Sequence, residues 1–331
     1  MSLFEANKTY KPFSYPWAMD LAEHHEKIHW GRWEADLSED LKDWKSNKIG
    51  PADKDFITQV LRLFTQMDSQ VANNYIDYLL PKFKNNEIRN MYLSFGNREG
   101  EHQRAYALLN DTLGLPDSEY SKFLEYKEMS DKIDFMQDVD VHSISGTVLA
   151  LANMILSEGV SVFGPFAMLL NYQNKPYGIM KGMCTVVEWS IRDESEHVKG
   201  HSLVFRQVIK EHPRVVTDEL KAKIYDMARK VYELESKFID LAYREGGPSN
   251  LKKEDVKQYI RYLIDRRLIQ MGLKGNFNEK KNPLKWLDWT VSGASLDNFF
   301  EKKVTEYSQE GLLGSSWGYE KAFTNWRKQN G

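Results

Sequence analysis

Residues Ile88 to Leu109, IRNMYLSFGNREGEHQRAYALL, decide how the rest of the chain is read. Ile88, Tyr92, Phe95, Glu99, His102, Tyr106 and Leu109 follow one another in alternating steps of four and three, the spacing that aligns residues along one side of an α-helix. A stripe of that kind is normally carbon. Here it also carries a carboxylate, an imidazole and a phenol. At about 100° per residue, Glu99 and His102 stand side by side, and Tyr106 returns to nearly the angle of Glu99 about 10 Å further along. A buried bare carboxylate costs several kcal/mol unless something compensates it, so Glu99 calls for a partner, and a metal ion is one answer.

The same pair recurs as Glu194 and His197 on a second stripe, Met180, Met183, Val187, Ser190, Glu194, His197, His201, Val204, Val208. Two further stripes each carry a single acid: Ile57, Leu61, Phe64, Asp68, Val71, Tyr75, and Ile144, Val148, Leu151, Ile155, Glu158, Val162. A purely structural reading would pair the four acids with Lys or Arg, yet none of the four stripes contains either. A third Glu-x-x-His, Glu26 to His29, falls off the stripe formed by Trp17, Leu21 and Ile28 and reads as a solvated coincidence.

Carboxylates and imidazoles without a thiolate suit iron or manganese, and four acids balance two ions of charge +2. A Glu or Asp from each of two helices plus Glu-x-x-His from each of two others matches the donor pattern of ferritin-like di-iron and di-manganese proteins. The expected fold class is therefore all-α, a ferritin-like helical bundle with additional helices and a dimetal site in its core.

The remaining composition narrows the class. A chain of 331 residues with only 10 prolines and no linker-like stretch is expected to form one domain over 1–331, with an irregular N-terminal arm over 1–16 and a C-terminal tail from about residue 300. A formal charge of −3 provides no footprint for nucleic acid. The lone Cys184 excludes an internal disulfide and any dithiol chemistry in this chain, and it fits a reducing cytosol. The start, MSLFEANKTYKPFSYPW, lacks the basic residues and apolar run of a signal peptide, so a cytoplasmic protein is expected. The most apolar segment, Val148 to Tyr172, is interrupted by Asn153, Ser157, Glu158 and Pro165 and reads as a buried helix, with no membrane partner.

Helices are expected over about Trp17–Trp30, from Pro51 to near Pro81, over Ile88–Leu109 with a stop near Gly114, over Asp117–Met136 as a charged peripheral element, over Val141–Tyr172 with a kink at Pro165, over Met180–Ile209, over Thr217–Arg244 and over Lys253–Leu273. The stretch EADLSEDLKDWKSNKIG reads as turn-rich.

Taken together, these residues resemble the radical-generating small (beta) subunit of class I ribonucleotide reductase over roughly Trp30 to Tyr307. Asp68, Glu99, His102, Glu158, Glu194 and His197 match that family's six metal ligands in order, and Tyr106, four residues after the first ligand His, matches its radical tyrosine. The run IRDESEH is similar to the family segment in which an Asp precedes the ligand Glu, which implies that Asp193 links His102 to a tryptophan. Trp30, followed by GRWEADLS, resembles that electron-transfer tryptophan, and NFFEKKVTEYSQEG makes Tyr307 the implied relay to a partner. Ser190 stands where the family usually has a bulky aliphatic residue, and Val162 is smaller than the aromatic often found there; Val162 and Phe166 are the expected shield around the radical.

The resemblance implies an oxidoreductase subunit binding two metal ions per chain, iron by default, with manganese or a mixed Mn/Fe pair served by the same donors and O2 as oxidant. A stable radical on Tyr106 would pass through Trp30, Asp193 and Tyr307 to a large subunit that reduces ribonucleotides to deoxyribonucleotides for DNA synthesis. That reduction needs several cysteines, and this chain has one, so the partner is obligatory. A homodimer is implied, with room for a flavoprotein activase, and Trp317, Tyr319, Phe323 and Trp326 offer aromatic anchors for docking the large subunit. Two readings compete. A dimetal oxidase or oxygenase acting on its own lipid-like substrate would share the ligands but need neither Trp30 nor Asp193 nor Tyr307, and a storage protein would assemble into a compact shell.

Overall fold

The computed structural model describes residues 2–288, so Tyr307 and the aromatic positions Trp317 to Trp326 lie outside the described residues. Among the described residues the regular structure is entirely helical. The elements that matter are α1 (Pro16–Lys27), α2 (Ser38–Lys45), α3 (Pro51–Asn74), α4 (Asn86–Leu113), α5 (Lys127–Gln137), α6 (Ile144–Leu156), α7 (Phe163–Leu170), α8 (Lys181–Glu211), α9 (Asp218–Ala242) and α10 (Lys253–Gln270). α3 packs on α4, α4 on α8, α8 on α6 and α7, and α7 returns to α3, which closes a four-sided bundle. α1 lies across α4 and α8, while α9 backs α3, α5 and α6 and carries α10.

The four acid-bearing stripes all face the inside of this bundle, because burying their apolar members is the dominant gain and the acids share those faces. α4 begins where the Asn85 side chain accepts hydrogen bonds from the Glu87 and Ile88 amides, and it ends at Gly114, whose φ of 74° requires the freedom of glycine. Ile144–Gln173 is long and apolar enough to cross a membrane by length and composition, but it is packed inside the bundle.

Four local expectations are corrected. The turn-rich stretch contains α2, and its purpose is visible in the buried Asp40, whose carboxylate accepts from the amides of Gly182 (2.8 Å) and Met183 (2.7 Å). With Asp43 accepting from Met180, α2 caps the positive end of α8 from outside its own chain segment. The expected helix over 117–136 is broken at Tyr126, whose backbone is extended, and α5 is not peripheral. It buries Met129, Ile133 and Met136, together with Lys132, whose ammonium pairs with Glu235 of α9 at 2.9 Å.

The predicted kink at Pro165 comes earlier, as a π-helical turn over Ser157–Ser161 between α6 and α7. Proline has no N–H for the Ser161 carbonyl, and Lys132 donates to that oxygen instead (3.4 Å), while Arg267 donates to the Gly159 carbonyl (3.0 Å). α3 runs into a second π-helical turn, Tyr75–Leu79, before the chain leaves it past Lys82. The arm over residues 2–15 is irregular as expected but pinned. Glu87 accepts from Ser14 N (2.7 Å) and Asn7 Nδ2 (2.8 Å), and Glu211 accepts from Leu3 N (3.2 Å) and the Tyr15 hydroxyl (2.5 Å).

Candidate metal centre

Each helix contributes what its stripe carried. α3 brings Asp68, α4 brings Glu99 and His102 from adjacent turns, α8 brings Glu194 and His197, and the π-helical turn after α6 brings Glu158. All six side chains are buried, and their donor atoms converge. Asp68, Glu99 and His102 form one group and Glu99, Glu158, Glu194 and His197 another, with the offered atoms in each group within 4.8 Å of one another. Glu99 belongs to both groups. Glu194 also spans them, with Oε1 3.4 Å from His102 Nδ1 and Oε2 3.3 Å from His197 Nδ1. His197 Nδ1 further lies 3.0 Å from Glu99 Oε1 and 3.3 Å from Glu158 Oε2.

Several of these atoms lack any hydrogen-bond partner despite complete burial: Asp68 Oδ2, both oxygens of Glu99, Glu194 Oε2 and His197 Nδ1. Buried acceptors are normally satisfied, so unpartnered ones aimed at a common point fit a cation. Two divalent ions would be held by this set of four carboxylates and two imidazoles, whose negative charge they would balance. The electrostatics agree. Burial, reinforced by Glu99 and Glu194, holds the Asp68 carboxyl well above the usual range, and burial with Glu99 raises Glu194. Burial would also raise Glu158, but His201 and His197 outweigh it and hold it at about 2. Burial opposes charge on His102 and His197, yet the surrounding carboxylates push both well upward. Without an ion, protons supply the missing positive charge.

Behind the donors, His102 turns Nε2 to Asp193 Oδ2 (3.1 Å), and the same oxygen accepts from Trp30 Nε1 at 2.7 Å. The Trp30 and His102 rings stack with centroids 5.8 Å apart, and Trp189 lies 5.1 Å from Trp30. Tyr106 donates to Ser190 Oγ (3.1 Å), and its ring stacks on Phe64 at 4.7 Å, with Phe166 on the other side of Phe64 at 5.0 Å. Burial drives the Tyr106 phenol well above its ordinary pKa, so it carries its proton at rest.

The expected residues within 2–288 therefore come together. Four others were missed as parts of the site. Tyr75, the first residue of the second π-helical turn, donates to Glu158 Oε2 (2.8 Å) and lies 2.9 Å from His201 Nε2, which in turn lies 3.1 Å from Glu158 Oε1. Arg98 donates to the Trp30 carbonyl (2.8 Å) and places Nε 3.5 Å from Asp193. His25 turns Nε2 to His197 Nε2 at 3.1 Å, and burial pushes its pKa down to about 2, so it is neutral. Tyr75 and His201 were visible as members of their stripes. His25 had a signal too: Ala18, Leu21, Ala22 and His25 form the buried side of α1, one residue away from the face chosen around Trp17.

Residues 7–283 match the family model described as ribonucleotide reductase, small chain. A protein of Invertebrate iridescent virus 3 named Probable ribonucleoside-diphosphate reductase small subunit 048L is 37% identical over 335 residues, covering 95% of this chain and 88% of that one. Among solved structures, the ribonucleotide reductase R2 subunit from Clostridium botulinum superposes with a TM-score of 0.80 at 20% identity, covering 88% of this chain and 94% of that one. The dimanganese(II)-NrdF of Streptococcus sanguinis gives 0.74 at 18% identity, covering 87% and 99%. These likenesses show that the bundle is ferritin-like.

Proposed function

We propose, from the premise that this chain belongs to the ribonucleotide reductase small-chain family, that its buried cluster is the family's dimetal centre and Tyr106 the phenol it oxidises. The observation that carries the reading is Glu99, shared between two donor groups and, like Asp68 Oδ2, Glu194 Oε2 and His197 Nδ1, buried without a hydrogen-bond partner. Asp68, Glu99 and His102 would hold one ion, and Glu158, Glu194 and His197 the other, with Glu99 and Glu194 reaching both. When bound, two redox-active divalent ions with O2 supply the oxidising power. Iron is the proposed pair. Manganese or a mixed pair uses the same donors, and one structural neighbour is titled a dimanganese(II) protein. The reading leaves room for a flavoprotein activase as a further partner.

The chain's own residues do the rest. Phe64 and Phe166 wall the Tyr106 ring from water, which prolongs a phenoxyl radical. Trp30, Asp193 and His102 make one hydrogen-bonded line from the centre outward, and the indole proton already points at a carboxylate oxygen, so an electron and a proton can leave Trp30 together. Tyr307, outside the described residues, is the proposed relay to the large subunit, and the tail from about residue 300 its docking segment. The functional unit is proposed to be a cytoplasmic homodimer working with that large subunit, whose cysteines this chain does not have. An independent oxidase would call for an apolar substrate cavity at the metals. Aromatic rings line the region in this chain: Phe95 packs 4.5 Å from the His197 ring, and Phe64 stacks on Phe166 at 5.0 Å.

The test is anaerobic loading with Fe(II), Mn(II) or both, followed by O2 and electron paramagnetic resonance. An organic radical signal is expected in the wild type and absent in Tyr106→Phe at unchanged metal content. A silent wild type under all three loadings overturns the assignment.

A further inference from the structure

The two histidines of the cluster are backed differently. His102 meets a carboxylate directly through Asp193, whereas His197 meets a second imidazole, His25. Following hydrogen bonds outward from His197 gives one consistent direction. Nδ1 of His197 faces the carboxylates of Glu99, Glu158 and Glu194, so as a metal ligand it is bare and the ring proton sits on Nε2. That N–H then donates to His25 Nε2 at 3.1 Å, which puts the proton of His25 on Nδ1. His25 Nδ1 lies 2.8 Å from Ser94 Oγ, and the Ser94 hydroxyl donates to Glu26 Oε1 at 2.5 Å. His25 and Ser94 are buried, and Glu26 is exposed. The His25 ring is held edge-on against Phe95 with centroids 5.0 Å apart, which fixes its orientation.

We propose that His25, Ser94 and Glu26 form a positioning relay for His197, the indirect counterpart of the Asp193 contact on His102. The relay ends on the glutamate of the Glu26 to His29 match that the sequence offered as a coincidence. The proposal rests on the dimetal reading. A partner behind a ligating imidazole fixes its tautomer and raises its basicity, and losing such a partner typically weakens metal binding about 10–100-fold. Reaching the carboxylate through two neutral links makes the His197 position the weaker of the two and ties it to a surface residue.

The experiment measures Mn(II) binding to the full-length metal-free protein, with anomalous scattering from crystals at stepwise Mn(II) concentrations to assign each step to a position. In the wild type the His102 position fills first. Ser94→Ala, which removes one hydroxyl and keeps both imidazole side chains, is expected to weaken the His197 position about tenfold or more and leave the His102 position unchanged. Glu26→Gln, at an exposed residue, shifts the same position in the same direction, and Ser94→Thr, which keeps the hydroxyl, retains wild-type binding. The relay is overturned if Ser94→Ala changes neither position or weakens both alike. A wild-type protein that binds no manganese at either position overturns the dimetal reading first, and the relay with it.

Discussion

Replacing Asp193 with Asn removes one buried charge and almost no volume. In the wild type Oδ2 accepts from Trp30 Nε1 at 2.7 Å and faces His102 Nε2 at 3.1 Å, with Arg98 Nε 3.5 Å away. Burial alone would raise the Asp193 pKa, but His102 and Arg98 overcome it, so the group is a carboxylate at neutral pH. Hydrogen bonds to a charged group contribute about 1.5–3 kcal/mol against about 0.5–1.5 for neutral ones, so two weakened bonds cost about 2 kcal/mol together. Removing one partner of a buried ion pair costs about 3–5 kcal/mol, and Arg98 falls at the low end because it keeps the Trp30 carbonyl and His29. These two figures share one charge and do not add; the expected loss is about 3–4 kcal/mol. Urea unfolding of the metal-free protein at pH 7, followed by circular dichroism, measures it. The double variant with Arg98→Gln should recover about 1 kcal/mol or more of the summed single losses. Additivity within about 0.5 kcal/mol, or a loss below about 1 kcal/mol in Asp193→Asn, refutes the argument that this charge is buried and paired.

Three further outcomes are expected. Adding Fe(II) or Mn(II) anaerobically at about 100 times the dissociation constant stabilises the fold by about 2.7 kcal/mol per site, which for two sites raises the melting temperature by roughly 8 °C over protein in chelator; no shift in calorimetry counts against the site. Burial would raise the pKa values of Glu87 and Glu211, but hydrogen bonds lower both in the fold: to Glu87 from its own amide and from Ser14, Asn7 and Tyr15 of the arm, and to Glu211 from Tyr15, Gln207, Leu3 and Ser2. Their contribution is complete above the unfolded value of about 4.3 and disappears as the pH falls through the lower folded values, so hydrogen-exchange protection factors in residues 2–15, taken relative to the intrinsic rate at each pH, should fall in that window while α4 stays protected. Lys132→Met leaves Glu235 buried without its cation, at a cost of about 3–5 kcal/mol, whereas Lys132→Met with Glu235→Leu should return close to wild-type stability in urea; a double variant as weak as the single one contradicts the pairing.

The stripes through Glu99 and Glu194 were legible because helical periodicity needs no tertiary information, and a polar side chain on an apolar face announces itself. The site's outer half was less so. The π-helical turn at Ser157 depends on which distant donors take its freed carbonyls, and neither Lys132 nor Arg267 is near Ser161 in sequence. Pro165 signalled a break but not its position. α2 was hidden because LSEDLKDW looks like a solvated turn, and only the α8 amides 142 and 143 residues away give Asp40 its reason to be buried. His25 was missed through a competing choice of face, since the large Trp17 outweighed two alanines in the pattern although it is only partly buried.

Ser190 has a spectroscopic consequence. At rest the Tyr106 hydroxyl donates to Ser190 Oγ, and the serine proton is turned to the Val186 carbonyl. A phenoxyl oxygen has no proton to give and can only accept, so the serine need only rotate about its Cβ–Oγ bond to donate to it. The proposed radical would then be hydrogen-bonded, with its largest g-value lowered and a hyperfine coupling to one exchangeable deuteron after transfer to heavy water, and Ser190→Ala would remove both features.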